Sequence, residues 1–302
     1  MKNIYLELLG YKDLPLFLKK YLNVPSLVRL KDIGYFCGMD YASKNIYDFN
    51  EYISRFDHSL SVSLLTWNLT KDKNATLAAL FHDVSTPCFS HVIDYMNKDY
   101  EIQESTEEYT FDILNSDKKL LYCLKEDNLK VEDISDFKKY SIVDNDRPRL
   151  CTDRLDGIIL TSLFWTKELN INEVSNILND LEIYESEIGF KTKSIAEYVI
   201  KLNNKIDIYC HSKEDNYMME LLASITKSAI NKNLINYEDL YKLTEKELFK
   251  ILDSSNDEEI LSKLKIFREI KIDDIPDIKL DGVKKREIKP LVRGKRIGEY
   301  ND

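Results

Sequence analysis

RFDHSLSVSLLTWNLTKDKNATLAALFHDVSTPCFSH, residues 55–91, decides how this chain is read. It holds three of the four histidines, His58, His82 and His91, and an adjacent His82-Asp83 pair. Residues 59–70 are apolar nearly all round, the mark of a core helix. Ala75 to Asp83 is a short helix of good helix formers, with Leu77, Leu80 and Phe81 apolar. Lys71 to Asn74 reads as the loop between them. Neutral imidazole and carboxylate are natural ligands for a divalent cation near pH 7, so a dense cluster in a His-poor chain points to a metal centre.

His58 is placed at the start of one helix and His82-Asp83 at the end of a second. Adjacent residues diverge by about 100° on an ideal helix. They converge on one ion most easily where the helix stops, and Val84-Ser85-Thr86-Pro87 supplies that stop. Asp153, after the polar VDNDRPR loop at 143–149, is the candidate fourth ligand; a carboxylate is tolerated at a helix N-terminus. Two imidazoles and two carboxylates suit Mn, Fe, Ni, Co, Zn or Mg without choosing among them. Such an ion lowers the pKa of bound water and draws charge from a phosphoryl oxygen. The competing reading makes His58 and His82 core histidines with backbone partners.

Residues 153–169, 173–183, 194–206, 215–230 and 244–252 carry helical periodicity, and 253–259 reads as a loop. The last forty residues alternate apolar and polar residues around Pro276 and Pro290, so a short β element or extended arm is expected there. The fold class is therefore all-α with a small β element near the C-terminus. Three segments are expected, 1–170 as metal-binding core, 171–260 as helical extension and 261–302 as basic arm, forming one compact unit.

With 302 residues, 43% hydrophobic and 32% charged, the composition is that of a soluble globular protein. A net charge of −10 argues against nucleic-acid binding through global charge. No apolar run is long enough for a membrane span, and no signal peptide is evident, so a cytoplasmic location is expected. Five scattered cysteines without CxxC read as reduced thiols. Only 8 glycines, with neither GxGxxG nor GxxxxGK[ST], disfavour a Rossmann or P-loop enzyme.

The layout His58, His82-Asp83, Asp153 resembles the H…HD…D signature of HD-domain phosphohydrolases. RFDHSLSV resembles the RFxHSLGV segment of the deoxynucleoside triphosphate triphosphohydrolase branch, which contains the dGTPases and the mammalian SAM-and-HD-domain enzyme. HDVSTPCFSHVID resembles HDxGHxPFSHxxE/D, TEEYTFDIL at 106–114 resembles HExxSxxIL, and DRLDGI at 153–158 resembles DxxDYxxRD. IDIYCHSK at 206–213 and VKKREIKPLV at 283–292 resemble a later Y-x-H helix and a basic strand. The likeness runs over roughly residues 25–295.

The resemblance implies a helical HD fold, a homo-oligomer, and metal-activated water attacking phosphorus in a nucleotide or related phosphoester or phosphoanhydride. It implies His58, His82, Asp83 and Asp153 as metal ligands, His91 lining the substrate pocket near the phosphates, Asp94 orienting a catalytic histidine, and Arg55 and Lys201 on the polyphosphate; His91 and Asp94 are expected to assist proton movement. Arg154, Lys205 and Tyr209 are further candidate substrate contacts, and Glu107 a candidate base. Lys201, Lys205 and Tyr209 fall at four-residue spacing, so one pocket could receive all three. Arg55 can clamp phosphate bidentately or pair with Asp57 or a nearby loop acid.

The chain departs from the pattern at Thr86 and Thr106, where the family has histidines. It departs also at Gly157, in place of a sugar-packing tyrosine, and at Leu160 and Thr161, in place of Arg-Asp. Loss of a general acid removes about a hundred- to ten-thousandfold in rate. Metal-dependent hydrolysis is thus expected more firmly than dNTP specificity. A catalytically silent nucleotide sensor and a metal-free scaffold are the alternatives. From Val283 to Arg296 seven basic residues face only Glu287, giving +6 locally and −16 for the rest. This tail suits an anionic effector, an acidic subunit interface, or pairing with the chain's own acidic body. The nineteen tyrosines, with Trp67 and Trp165, read as core packing.

Overall fold

The computed structural model describes residues 1–100, 109–278 and 283–299. Helix α1 (Lys2–Leu8) leads to the short helices α2 (Leu16–Lys19) and α3 (Pro25–Arg29). The central pair follows, α4 (Arg55–Thr70) and α5 (Lys73–Phe81), and then α6 (Val92–Asn97), α7 (Thr110–Ser116) and α8 (Lys118–Glu126). After α9 (Thr152–Phe164) and α10 (Ile171–Asp180) comes a hairpin, β1 (Leu181–Tyr184) and β2 (Glu187–Phe190). Helices α11 (Lys193–Cys210), α12 (Lys213–Asn231), α13 (Glu245–Asp253) and α14 (Glu258–Glu269) precede β3 (Leu291–Val292) and β4 (Lys295–Arg296).

Ser54 starts α4 with a capping box: its hydroxyl accepts from the Asp57 amide at 3.1 Å, and the Asp57 carboxylate accepts from the Ser54 amide at 2.9 Å. Asp57 also pairs with Lys2 at 3.0 Å, so the acid beside Arg55 is already engaged. Asp72 caps α5 through the amides of Asn74 and Ala75. Helix α4 is buried along most of its length, as its all-round apolarity demands, and packs against α5 and α9. Helix α12 packs on α6 and α14, and α11 on α9. One hydrophobic cluster runs from Tyr5 to Val292, through all three expected segments.

The structure bears out a mainly helical fold with a small sheet, and corrects its details. The helix expected over 173–183 ends at Asp180, and Leu181 enters β1. Leu178 and Leu181 continue a helical spacing, but Ile183, Tyr184, Ile188 and Phe190 pair across an antiparallel hairpin. Strand β2 then pairs in parallel with β3, and β3 with β4, in the order β1-β2-β3-β4. Gly189 permits this closure: a Cβ there would stand 2.6 Å from the Leu291 carbonyl oxygen. Helix α14 crosses the boundary expected at 261, and the helix expected to reach 169 stops at Phe164. Among the described residues no helix is long and apolar enough to cross a membrane.

Candidate metal centre

A short bridge between Gly34 and Ser54 sets the entry to α4. The Tyr35 amide donates to the Ile53 carbonyl and the Arg55 amide to the Ile33 carbonyl, both at 2.8 Å. His58 therefore lies one turn inside α4, not at its first residue. His82 is the C-terminal cap residue of α5, and the chain turns at once, with the Thr86 amide donating to the Asp83 carbonyl at 2.9 Å. The expected helix end at His82-Asp83 is what lets adjacent residues converge. Helix α9 is anchored by the Thr152 amide on the Ile142 carbonyl and by a Thr66–Thr152 hydroxyl contact, each 2.8 Å.

These supports bring the four side chains together. One Asp153 carboxylate oxygen, Oδ1, lies 2.9 Å from His58 Nε2 and 3.5 Å from His82 Nε2. Ligand atoms of His58, His82 and Asp83 lie within 4.8 Å of one another. His82 Nδ1 donates to the Ala79 carbonyl at 2.8 Å, which fixes its tautomer and turns the Nε2 lone pair into the cluster. That Nε2 is buried and makes no well-formed hydrogen bond, with Asp153 at 3.5 Å and Asp83 at 3.7 Å. An orphaned imidazole nitrogen beside two carboxylates fits a divalent cation and is unexplained by a core histidine with backbone partners.

The electrostatics follow from this crowding. Burial penalises the His58 imidazolium, but hydrogen bonds to Asp153 and Asp156 outweigh it and push the pKa up to about 10. Burial also penalises the His82 imidazolium, but Asp83 and Asp153 together outweigh it and raise the pKa. Against the same burial, the two histidines hold Asp153 well below the usual carboxylate range. Asp83 is drawn down to about 2, despite burial, by His82 and Arg55. Its side chain, like that of Arg55, is buried, and the Arg55 Nη1–Asp83 Oδ2 ion pair measures 3.0 Å. Asp153 belongs to a second group with Asp144 and Cys151. There Arg154 engages Asp144 at 3.4 Å, and burial pushes the Cys151 thiol up to about 12, leaving it protonated.

Sequence reasoning missed Asp156. Fully buried, it accepts from His58 Nδ1 at 2.7 Å, from Ser61 at 2.8 Å, and from the Tyr5 hydroxyl. It orients the first imidazole as a carboxylate behind a ligating histidine does. Its three-residue spacing from Asp153 on a helix was the available signal. Replacing Asp156 with Asn is expected to keep the fold and to weaken divalent-cation affinity by about 10- to 100-fold, read by calorimetric titration with Mn²⁺. Unchanged affinity would remove Asp156 from the centre.

The cluster opens into a cavity of about 1000 Å³. Arg55, His91 and Arg154 line it. His91 Nδ1 lies 2.9 Å from the Asp94 carboxylate, which orients the ring. Arg154 is largely occupied by Asn145, Asp144 and the Arg149 carbonyl. Lys201, Lys205 and Tyr209 do not line the cavity. The face of α11 that does is Asn203, Ile206 and Cys210. Four-residue spacing groups Lys201, Lys205 and Tyr209 on another face of the helix. There Lys205 meets Glu168 at 3.3 Å and Tyr209 packs on Trp165. Glu107 and Thr106 fall outside the described residues. Thr86 is fully buried and absent from the cavity wall.

The aromatics divide differently from expectation. Trp67 packs on Phe17, but Trp165, Tyr35, Tyr47 and Tyr95 line the cavity, together with Phe36 and Phe49 stacked at 4.3 Å. At Gly157 a Cβ would meet the Tyr35 hydroxyl at 3.0 Å. Tyr35 thus occupies the space beside residue 157, against His58 at 4.9 Å and under the Arg55 guanidinium at 5.0 Å.

Fold and site together define a mainly helical protein with a His/Asp cluster that resembles an HD-type metal site and could hold a metal ion. No family model matches the chain. It is 30% identical over 216 residues to the uncharacterized protein YdhJ of Bacillus subtilis (strain 168), over 70% of this chain. The chain spans only 65% of that relative's length. A crystal structure of a hypothetical protein from Aquifex aeolicus shares the fold, with a TM-score of 0.59 at 15% identity, over 84% of this chain and 71% of that one.

Proposed function

We propose that this protein is a divalent-cation-dependent phosphohydrolase of the HD-domain class, acting on a nucleotide or a related phosphoester or phosphoanhydride. The observation that carries this reading is the convergence of His58, His82, Asp83 and Asp153 at a cavity wall, with His82 Nε2 buried, facing both carboxylates and without a well-formed hydrogen bond. When bound there, a cation would supply Lewis acidity, lowering the pKa of water and polarising a phosphoryl oxygen. His58, His82, Asp83 and Asp153 would hold it, and Asp156 keeps His58 aligned. Arg55, pinned by Asp83 and by Ser90 at 3.2 Å, neutralises phosphate charge with its remaining donors. His91, steadied by Asp94, leaves Nε2 to pass a proton to the departing oxygen.

A panel of nucleotides and simpler phosphoesters, assayed for phosphate release with Mn, Co, Ni, Fe, Zn or Mg and with EDTA, tests the reading. Metal-dependent release confirms it. Tight nucleotide binding without turnover under every metal would instead favour a sensor, a reading that the burial of Thr86 away from the cavity supports. A purified wild type that binds no metal would reduce the protein to a scaffold.

Cation binding should also depend on pH. His58, at about 10, and His82 are both raised in the metal-free protein, so a cation must displace protons to bind. Affinity for Mn²⁺ is expected to rise between pH 6.5 and 9 by about tenfold per unit for each proton displaced. Titrations in buffers of different ionisation enthalpy count those protons, and a pH-independent affinity would contradict the arrangement.

A further inference from the structure

We infer that Arg147 and Arg286 form a second anion subsite in the cavity, which takes a phosphate group of the substrate other than the one attacked. This rests on the phosphohydrolase reading and narrows it: the substrate is a small molecule bearing two separate phosphate groups.

Both arginines line the same cavity as the histidine–carboxylate cluster. Arg147 stands in the loop before α9, and Arg286 in the arm leading to β3. Loop and arm are joined: the Lys289 amide donates to the Pro148 carbonyl at 2.7 Å, and Arg147 Nη1 to the Glu287 carbonyl at 3.3 Å. Helix α11 fixes the arm in turn. Asp207 accepts from the Arg286 amide at 2.8 Å, and the Asn203 side chain donates to the Arg286 carbonyl. The basic tail, read from sequence as suiting an effector, a subunit interface or the chain's own acidic body, thus delivers two of its basic residues, Lys284 and Arg286, to the cavity.

Neither guanidinium has a carboxylate in ion-pair range among the described residues. The acids of the cavity wall are otherwise engaged. Asp83 holds Arg55, Asp153 meets the histidines, Asp144 holds Arg154, and Asp215 accepts from the Tyr47 hydroxyl at 2.7 Å. Asp146 pairs with Arg149 and is 98% exposed. Burial first, and then the like charges of Arg154 and Arg286, bring Arg147 down to about 10, so charges of one sign are crowded there. Arg286 is raised instead, by Cys210 first and then, against burial, by Tyr95, Asp215 and Asp207, none of which pairs with its guanidinium directly, so both guanidinium groups keep donors for the charge-assisted hydrogen bonds of an oxyanion.

The test is binding of inorganic phosphate to the full-length protein, stripped of metal with EDTA, followed by calorimetry. Wild type should bind. The double variant Arg147→Gln, Arg286→Gln should bind about 10- to 100-fold more weakly, the loss expected for charge-assisted hydrogen bonds. Lys289→Gln, at a cation of the same arm paired with Glu287 at 2.9 Å, should bind as wild type does. Arg147→Lys, Arg286→Lys retains charge and serves if the glutamine variant melts early. It should bind more weakly than wild type, because the guanidinium fork is lost. Three results would overturn the subsite: no phosphate binding by wild type, arginine variants that bind like wild type, or equal loss in Lys289→Gln. If instead the phosphohydrolase reading is wrong, wild type turns nothing over with any metal, while arginine-dependent phosphate binding persists.

Discussion

His58→Ala protein will purify without a bound divalent cation and will release no phosphate from substrates that the wild type hydrolyses. His58 uses both ring nitrogens, Nε2 toward Asp153 and Nδ1 toward Asp156. Alanine removes a ligand and frees two carboxylates at once. Lewis-acid stabilisation of several kcal/mol is lost with the cation, so turnover should fall by about a thousandfold or more. Asp156, fully buried, keeps only Tyr5 and Ser61 as partners. The variant should therefore also unfold earlier, and elemental analysis beside circular dichroism separates metal loss from misfolding. In the metal-free wild type the sign of the pH effect is set by the raised pKa of His58. Its stabilisation is complete below its ordinary 6.5 and is lost as pH rises through about 10. His58→Ala should flatten that alkaline decline. Wild-type metal content in the variant would contradict the assignment.

Arg55→Met will cost the metal-free protein about 1–3 kcal/mol of stability, because it removes the ion-pair partner of the buried Asp83 and leaves only the histidines beside that charge. Methionine keeps much of the apolar contact with Tyr35, so the loss reports chiefly on charge. Asp83, held at about 2, contributes stability that is present above its ordinary 3.8 and disappears as pH falls through 2. In the variant that acid limb should move upward. Divalent cation should restore part of the stability, since a cation at Asp83 replaces the missing positive charge. Denaturant titrations with and without Mn²⁺ give both quantities. Equal loss in the two conditions would detach Arg55 from the metal centre.

The centre was legible because its chemistry is local in sequence. Histidines are rare in this chain, His82 and Asp83 are adjacent at a helix end, and Asp153 follows a polar loop. The supports were less legible. Tyr5 reaches Asp156 from a seven-residue helix, in an N-terminal region whose helices are too short to show periodicity. The strands 181–184 and 187–190 follow α10 directly, and their partner β3 lies a hundred residues downstream, so the run read as more helix. Lys201 and Lys205 show the limit of spacing: it groups residues on a helix face without saying which face meets a cavity.

Hydrophobic period and ligand chemistry, both properties of neighbouring residues, were enough to establish a helical chain with a candidate cation site. Which carboxylate stands behind His58, which counter-ion Asp83 takes, and which cations of the basic tail turn inward depended on packing. Those partners are 28 to 98 residues apart or more, and only burial, which makes an unpaired charge costly, selects among them.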